Sequence, residues 1–322
     1  MRAIVHERYA PPSALELREV SRPAAGPGDV LVRVRAASLN AGDWYAVTGL
    51  LVARLGQGLR RPKSPGVASD LAGVVEAVGE DVTLFSPGDD VFGMRGGALA
   101  EYVAVPEDRA LVQKAAEVSF EDAAAIPVAA LTALQALRDH GRLEAGQRVL
   151  VNGASGGVGT FAVQIAKALG AEVTAVCSTR NVETARSLGA DAVVDYTRED
   201  FTTGGEHYDL VLDVAGSRPW RELRRVLTPH ARVVVIGAKR GNRVLGPLAH
   251  VVRMRLASVG SSRKMVFFIA KPNKDDLAFV QQLVVDGKVR PVIEQRYELA
   301  DAPQALTYLG EGHARGKLVV TI

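Results

Sequence analysis

The sequence predicts an α/β chain in which a doubly wound parallel sheet is joined to a β-rich part. Three observations carry that expectation. Strand-like and helix-like stretches alternate from about Ala124 onward, the pattern of a parallel sheet with crossover helices. One of those strands, in "VLVNGASGGVG", runs into a glycine-rich turn that opens a helix. Residues 1 to about 123 hold short strand-like runs broken by Gly and Pro.

The bounds are consistent with this. The 322 residues suffice for two domains and a sizeable core, and 48% hydrophobic content excludes a disordered chain. A net charge of +3 gives no sign of nucleic-acid binding. A single cysteine, Cys177, excludes an internal disulfide framework and favours a reducing compartment. The opening "MRAIVHERYA" has no long apolar run or cleavage signal, and no stretch is long enough to span a membrane. The expected location is the cytoplasm.

In order along the chain, "VLVRVRAAS", "LAGVVEAVG" and "AEYVAVP" read as strands, and "SPGDDVFG" as a turn leading into one. "AAAIPVAALTALQALRDHG" is a helical pattern ending at Gly141. "QRVLVNGA" is a strand, followed by the helix "VGTFAVQIAKALG" closed by Gly170. "EVTAVCS" is the next strand, and "NVETARSLG" a helix that Asn181 is suited to cap. "DAVVDY", "YDLVLDVAG" and "ARVVVIGA" are buried-type strands. The helix "KDDLAFVQQLVVDG", a strand near "IEQRYEL", the helix "APQALTYLGEG" and the strand "KLVVTI" complete the chain.

The glycine turn holds Gly153, Gly156, Gly157 and Gly159. A tight strand-to-helix turn without Cβ atoms lets backbone N–H groups approach a pyrophosphate, and the helix start adds its positive dipole end. Ser155, Gly156, Gly157 and Val158 are the cofactor-binding candidates here. A dinucleotide fold usually carries an acid for the adenosine ribose about 20 residues further on. Cys177 stands in that place. A neutral residue there does not repel a 2′-phosphate, and Ser178, Thr179 and Arg180 follow as hydroxyl and charged donors. The other reading is an ordinary polar turn with a surface arginine and a buried cysteine. Tyr196, at the end of the next strand, is read either as stacking near the adenine or as packing the strand end.

"NGASGGVGTFAVQIAKALGAEVTAV" resembles the cofactor segment of the medium-chain dehydrogenase/reductase superfamily, above all its zinc-free quinone oxidoreductase branch. There the first glycine of the fingerprint is often replaced, as Ala154 replaces it here. "ASLNAGDW", "SDLAGVVEAVG", "GDDVFG", "SLGADAVVDY" and "GHARGKLVVTI" extend the resemblance over nearly the whole chain. It implies a GroES-like catalytic domain, split in sequence over residues 1–123 and 269–322, around a Rossmann domain at 124–268. It also implies NADPH/NADP+ as cofactor, held at its 2′-phosphate by the Ser178–Arg180 turn. Further cofactor-binding candidates are Thr132, which matches a threonine near the nicotinamide, Gly216 after "YDLVLDV", Ile236 and Gly237, and Lys317. Helix back-bonding is the other reading of Thr132, and a water-facing strand-edge lysine that of Lys317.

In the zinc alcohol dehydrogenases that this chain resembles, a Cys falls near Asn40, a His-Glu pair at Ser69 and Asp70, and a second Cys near Val128. With all of those ligands gone except an acid, and with His6, His140, His207, His230, His250 and His313 scattered in the sequence, no metal is expected. The histidines read as surface or capping residues.

Hydride transfer from a nicotinamide needs orientation and charge stabilisation rather than a protein nucleophile. The resemblance places "SLNAGDWY" beside the nicotinamide, so Asn40 and Tyr45 are the catalytic candidates. Tyr45 would polarise a carbonyl or quinone oxygen. The alternative is that Asn40 holds the loop and Tyr45 is core. Asp43 reads as a loop-ordering or helix-start residue. "TGLLVARLGQGLRRPKSPG" and "RVLGPLAHVVRMRLASVGSSRKMVFFIAKP" mix apolar and basic residues. They read as amphipathic helices packed on a domain, as substrate cover, or as loose membrane contact. Lys63, Arg240 and Lys264 are basic residues suited to cofactor phosphate. The function expected is NADPH-dependent reduction of quinones or enones, by a monomer or homodimer acting on a small hydrophobic carbonyl or quinone. A zinc-type alcohol dehydrogenase and a non-catalytic NADPH-binding sensor, like the branch's lens crystallins, are the alternatives.

Overall fold

The structure is a computed structural model that describes residues 1–237 and 246–322. Up to the glycine turn the elements are β1 Arg2–Val5, β2 Glu16–Glu19, β3 Asp29–Leu39, α1 Ala41–Thr48, α2 Leu51–Gln57, β4 Asp70–Val78, β5 Asp90–Met94, β6 Tyr102–Pro106, β7 Leu111–Gln113, α3 Phe120–Ala125, α4 Pro127–Gln135 and β8 Arg148–Asn152. After it come α5 Gly157–Ala168, β9 Glu172–Cys177, α6 Val182–Ser187, β10 Ala192–Asp195, β11 Tyr208–Asp213, α7 Trp220–Leu223, β12 Leu227–Val235, α8 Gly246–Ala257 and β13 Lys264–Phe267. The chain closes with α9 Lys274–Val285, β14 Ile293–Glu298, α10 Ala302–Glu311 and β15 Lys317–Thr321.

The chain divides into two units. Unit 1 is residues 1–131, 272–287 and 291–322; unit 2 is residues 132–271 and 288–290.

Unit 1 is built on a seven-stranded sheet in the order β14-β15-β3-β4-β5-β7, with β6 also pairing β3. Its long central strand β3 alternates buried apolar and exposed basic residues through "VRVR" and then turns wholly buried through "AASL". There it lies between β4 and β15, both antiparallel to it. Val32, Leu39, Leu71, Leu99, Leu111 and Leu318 are among the buried side chains of this core. The burial of β3 at Ser38 and Leu39 sets the depth of the loop that follows.

Unit 2 is a six-stranded, all-parallel sheet in the order β10-β9-β8-β11-β12-β13. Its strands are nearly continuous apolar runs, as a sheet covered on both faces requires. β8 pairs with β9 on one side and β11 on the other, so chain order reverses there. A parallel sheet binds ligands at such a switch point, outside the carboxyl ends of its strands.

Two sequence expectations change. Asn181 does not cap α6: its amide donates to Ser178 Oγ at 3.1 Å, and no side-chain cap bond forms. The segment read as one amphipathic helix contains α8 and then a sixth strand, β13, parallel to β12. Part of that segment, with Val244 and Leu245, lies outside the described residues.

Candidate functional site

In unit 2 the glycine turn lies between β8 and α5. Gly153 adopts φ +93°, a conformation open to glycine but strained for other residues. A Cβ at Gly159 would lie 2.1 Å from Gly153 O, so the helix can close on the turn only with glycine there. At Gly156, the residue before α5, a Cβ would meet only Gly153 O, at 3.8 Å. The helix start is therefore open above Gly156, and no side chain caps it. Ser155, Gly157 and Val158 sit half-buried around it. Unoccupied N–H groups at an uncapped helix start, free of Cβ atoms, fit a pyrophosphate.

Beyond β9, Cys177 is 1% exposed, and burial pushes its thiol up to about 11. It is neutral and turned inward. Ser178 is half-buried; its oxygen accepts from Asn181, leaving its own proton to donate. Arg180 is exposed. The Thr179 hydroxyl, read from sequence as a donor to a phosphate, instead donates to Asp195 Oδ2 and lies 2.9 Å from Thr197 Oγ1. Asp195 is opposite Cys177 in the register of β9 and β10. The Thr179 hydroxyl, followed by Thr197, holds its carboxyl below the usual range, and Arg198 lies 3.6 Å away. Asp195 and Arg198 went unnoticed in the sequence; an acid in the same register one strand over was the available signal. Tyr196 is 57% exposed, so it does not pack the strand end.

On the other side of β8, Asn152 and Asp213 end their strands and meet. Asn152 Nδ2 donates to Asp213 Oδ1 at 2.7 Å, and Gly216 N donates to the same oxygen at 2.9 Å. Gly216 has φ +57°. Ile236 and Gly237 follow β12, and both donate their N–H to Asp213 O. A Cβ at Gly237 would lie 2.1 Å from Val214 O, which explains its glycine sterically. Thr132 is half-buried on α4.

In unit 1, Asn40 lies between β3 and α1. Its backbone N–H donates to Asp43 Oδ2 at 2.7 Å, so Asp43 orders the helix start as its position implied. The Asn40 side chain turns the other way. Nδ2 donates to Asp70 Oδ2 at 2.8 Å, and Oδ1 accepts from Lys317 Nζ. Lys317 is 2% exposed and Asp70 0%. The lysine also donates to Leu39 O at 3.1 Å and lies 3.4 Å from Asp70 Oδ2. Asp70 accepts further from Ser38 Oγ at 3.1 Å and Val128 N at 3.2 Å. Lys317 is thus neither water-facing nor on a sheet edge, because β15 is paired on both sides. Burial pushes the Asp70 carboxyl up and the Lys317 ammonium down, each opposed by the other's charge. Burial, reinforced by the Asp70 charge, raises Asp43 to about 7. Tyr45 is half-buried, its ring meeting Trp44 edge-on at 5.5 Å.

Asn40, Asp70 and Val128, which stand at three of the positions compared with zinc ligands, do converge in space. Asn40 and Asp70 hold the Lys317 ammonium, and Val128 N–H donates to the other oxygen of Asp70. One carboxylate, one amide and a resident cation do not suit a divalent ion. Among the described residues no three His, Cys, Asp or Glu side chains are grouped to hold a metal.

The remaining basic candidates divide. Lys63 is exposed on unit 1. Lys264 begins β13, at the amino edge of the sheet and three strands from β8, so it is not placed for cofactor phosphate. Arg240 lies outside the described residues. On α2, Leu51 and Leu55 are exposed rather than packed. Nor are all the histidines at the surface: His6 is buried, with Nδ1 3.1 Å from Pro65 O, and His250 on α8 is mostly buried.

Comparison with known proteins agrees with this architecture. A family model described as "Alcohol dehydrogenase GroES-like domain" matches residues 26–116, and one described as "Zinc-binding dehydrogenase" matches residues 188–320. Quinone-oxidoreductase QR1, chloroplastic, of Triphysaria versicolor is 34% identical over 99% of this chain and 98% of its own length. The NAD(P)H oxidoreductase RTN4IP1, mitochondrial, of Mus musculus is 35% identical over 92% of this chain and 82% of its own. The solved quinone oxidoreductase of Coxiella burnetii superposes with a TM-score of 0.87, at 29% identity, covering 100% of this chain and 99% of that one.

Proposed function

Because the chain belongs to the quinone oxidoreductase branch of the medium-chain dehydrogenase/reductase superfamily, we propose that it reduces quinones or α,β-unsaturated carbonyls with NADPH and without zinc. The observation that carries the cofactor choice is the turn after β9. A buried neutral cysteine stands where an acid would hold a ribose, and Ser178 and the exposed Arg180 follow it.

In this reading the glycine turn holds the pyrophosphate through backbone N–H groups and the α5 dipole. Arg180 and Ser178 hold the 2′-phosphate; Thr179 and Thr197 hold the Asp195 carboxylate in place, and the Arg198 cation 3.6 Å from it offsets its charge. Bound NADPH supplies the hydride. The chain's own contribution is orientation and a donor for the acceptor oxygen, a role we assign to Tyr45. Asn40 is held by Lys317 and Asp70, so it fixes the start of α1, the helix that carries Tyr45. Lys317 has its acceptors within the protein and acts through Asn40 rather than on the cofactor. Among the described residues no helix is long and apolar enough to cross a membrane.

The test is oxidation of NADPH and of NADH with a small quinone, with an alkenal, and with no acceptor. The expected result is acceptor-dependent turnover that prefers NADPH at least tenfold. Arg180→Ala should raise the NADPH KM about 10- to 100-fold, from loss of charge-assisted bonds worth roughly 1.5–3 kcal/mol, and leave NADH little changed. Equal KM values for the two cofactors in the unmodified protein would overturn the cofactor assignment.

A further inference from the structure

Strands β9 and β10 run parallel and end in register, Cys177 beside Asp195, so the turns that follow them leave the sheet together. Tyr196 N donates to Cys177 O at 3.0 Å, and the hydroxyls of Thr179 and Thr197 lie 2.9 Å apart. Between the two turns sits the Asp195 carboxylate. Thr179 Oγ1 donates to its Oδ2, and Thr197 donates to its Oδ1 from N at 3.0 Å and from Oγ1 at 2.7 Å. A threonine hydroxyl has one proton to give. Both protons are committed to the carboxylate, so neither hydroxyl is a donor to a phosphate arriving at these turns.

Two cations remain. Arg180 follows Thr179 and Arg198 follows Thr197, one on each of the joined turns. Both are exposed, and among the described residues neither guanidinium makes a hydrogen bond. The Arg198 side chain is 75% exposed, and its Nε lies 3.6 Å from Asp195 Oδ2, the oxygen that Thr179 also engages. The guanidinium therefore stands on the side of its turn that faces the β9 turn. An ion pair at Nε leaves both Nη groups for a ligand. The Asp195 side chain is only 11% exposed, so a ligand meets the arginine before the acid. A dinucleotide with its pyrophosphate at the glycine turn after β8 carries its adenosine over β9. The next strand out is β10, so its turn flanks the adenosine end.

We propose that Arg198 is a second cation of the 2′-phosphate site, steered by Asp195 so that Arg180 and Arg198 grip the phosphate from two adjoining turns. The proposal rests on the NADPH reading above and adds to it a specificity residue from a strand beyond the glycine-turn unit. A guanidinium meets phosphate oxygens through paired, charge-assisted N–H···O bonds. The 2′-hydroxyl of NADH offers no charge to hold, so the gain falls on NADPH alone. Nothing in the sequence pattern joins the two arginines, which are 18 positions apart; the register of β9 with β10 does.

The test is equilibrium binding of NADPH and of NADH to the full chain, followed by nicotinamide fluorescence. Arg198→Ala should weaken NADPH about tenfold or more and change NADH less than about twofold. NADH also reports that the variant is folded at the glycine turn. The loss should persist when Arg198→Ala is combined with Asp195→Asn, because the phosphate has lost a ligand of its own. Recovery of NADPH affinity in that double variant would overturn the proposal, since Arg198 would then serve only to offset Asp195. So would unchanged NADPH affinity in Arg198→Ala, or equal weakening of the two cofactors. Failure of the NADPH reading itself looks different: the unmodified protein would then bind NADPH and NADH equally.

Discussion

Lys317 keeps an ammonium group in the interior of unit 1, where only a matched set of acceptors makes it tolerable. Leu39 O, Asn40 Oδ1 and Asp70 Oδ2 supply that set, and the result is an asparagine amide that cannot turn over. Asp43 stands beside this cluster with its carboxyl raised to about 7. A carboxyl raised on folding is favoured in its protonated form. Its contribution to stability is fully present below pH 4, near its unfolded value, and is lost as pH rises through 7. The unmodified protein should therefore lose melting temperature between pH 5 and pH 8 relative to Asp43→Asn, by a few degrees at most. Parallel melting curves for the two proteins across that range would remove Asp43 from the titration. Tyr45 makes a second residue-scale prediction. An enone develops localised charge on its oxygen, whereas the ring of a quinone spreads it, so a donor matters more to the enone. Tyr45→Phe should slow enone reduction roughly 10- to 100-fold, or about 1.4–2.7 kcal/mol at the transition state, and quinone reduction much less. NADPH affinity should hold because the ring is kept. Equal losses in kcat/KM on both acceptors would take Tyr45 out of the mechanism.

At the scale of the element, the glycine turn separates two tasks that sequence alone leaves merged. Gly159 is demanded by the fold, since a methyl group there lands 2.1 Å from Gly153 O. Gly156 is not, since its φ of −80° suits any residue and the nearest atom to a Cβ is 3.8 Å away. Gly159→Ala should lower the melting temperature by several degrees or prevent folding. Gly156→Ala should melt within a degree or two of the unmodified protein and yet weaken NADPH tenfold or more, because the methyl occupies the space above the helix start. Full NADPH affinity in a stable Gly156→Ala protein would mean that the pyrophosphate does not approach there. The turn was readable because its signal is local. β13 was not: in "KMVF" only Met265, Val266 and Phe267 are apolar, a run too short for periodicity to assign to strand or helix. The Asn181 error has a similar origin, since an asparagine before a helix offers its side chain to any nearby partner, and Ser178 Oγ was nearer at hand.

Across the whole molecule, the parallel sheet was legible because each of its inner strands is a buried apolar run set between helices. The buried cluster was not, because its members are far apart in the chain: Lys317 is 247 residues from Asp70 and 277 from Asn40. Sequence showed the loop and the lysine separately, and pairing β3 with β15 joined them. The same sheet logic bears on assembly. Among the described residues β13 pairs only with β12, so one edge of the parallel sheet presents unpaired N–H and C=O groups. The chain around that edge exposes Leu256, Val259, Phe267 and Ile269, with Val259 and Ile269 more than three-quarters exposed. Monomers normally blunt such an edge with charge or proline, and here only Lys264 and the basic turn before it do so. Of the two assemblies expected from the sequence, monomer or homodimer, the homodimer would cover it, β13 against β13 about a two-fold axis, the commonest closed arrangement. Sedimentation at about 10 µM should give twice the chain mass of 34.1 kDa. Ile269→Asp with Val259→Asp places charge on the edge and should shift the protein to the monomer while leaving adenosine 2′,5′-bisphosphate binding intact, since the glycine turn lies three strands away. A monomer at every concentration up to about 100 µM would sink the dimer. A dimer indifferent to both substitutions would move the interface off β13.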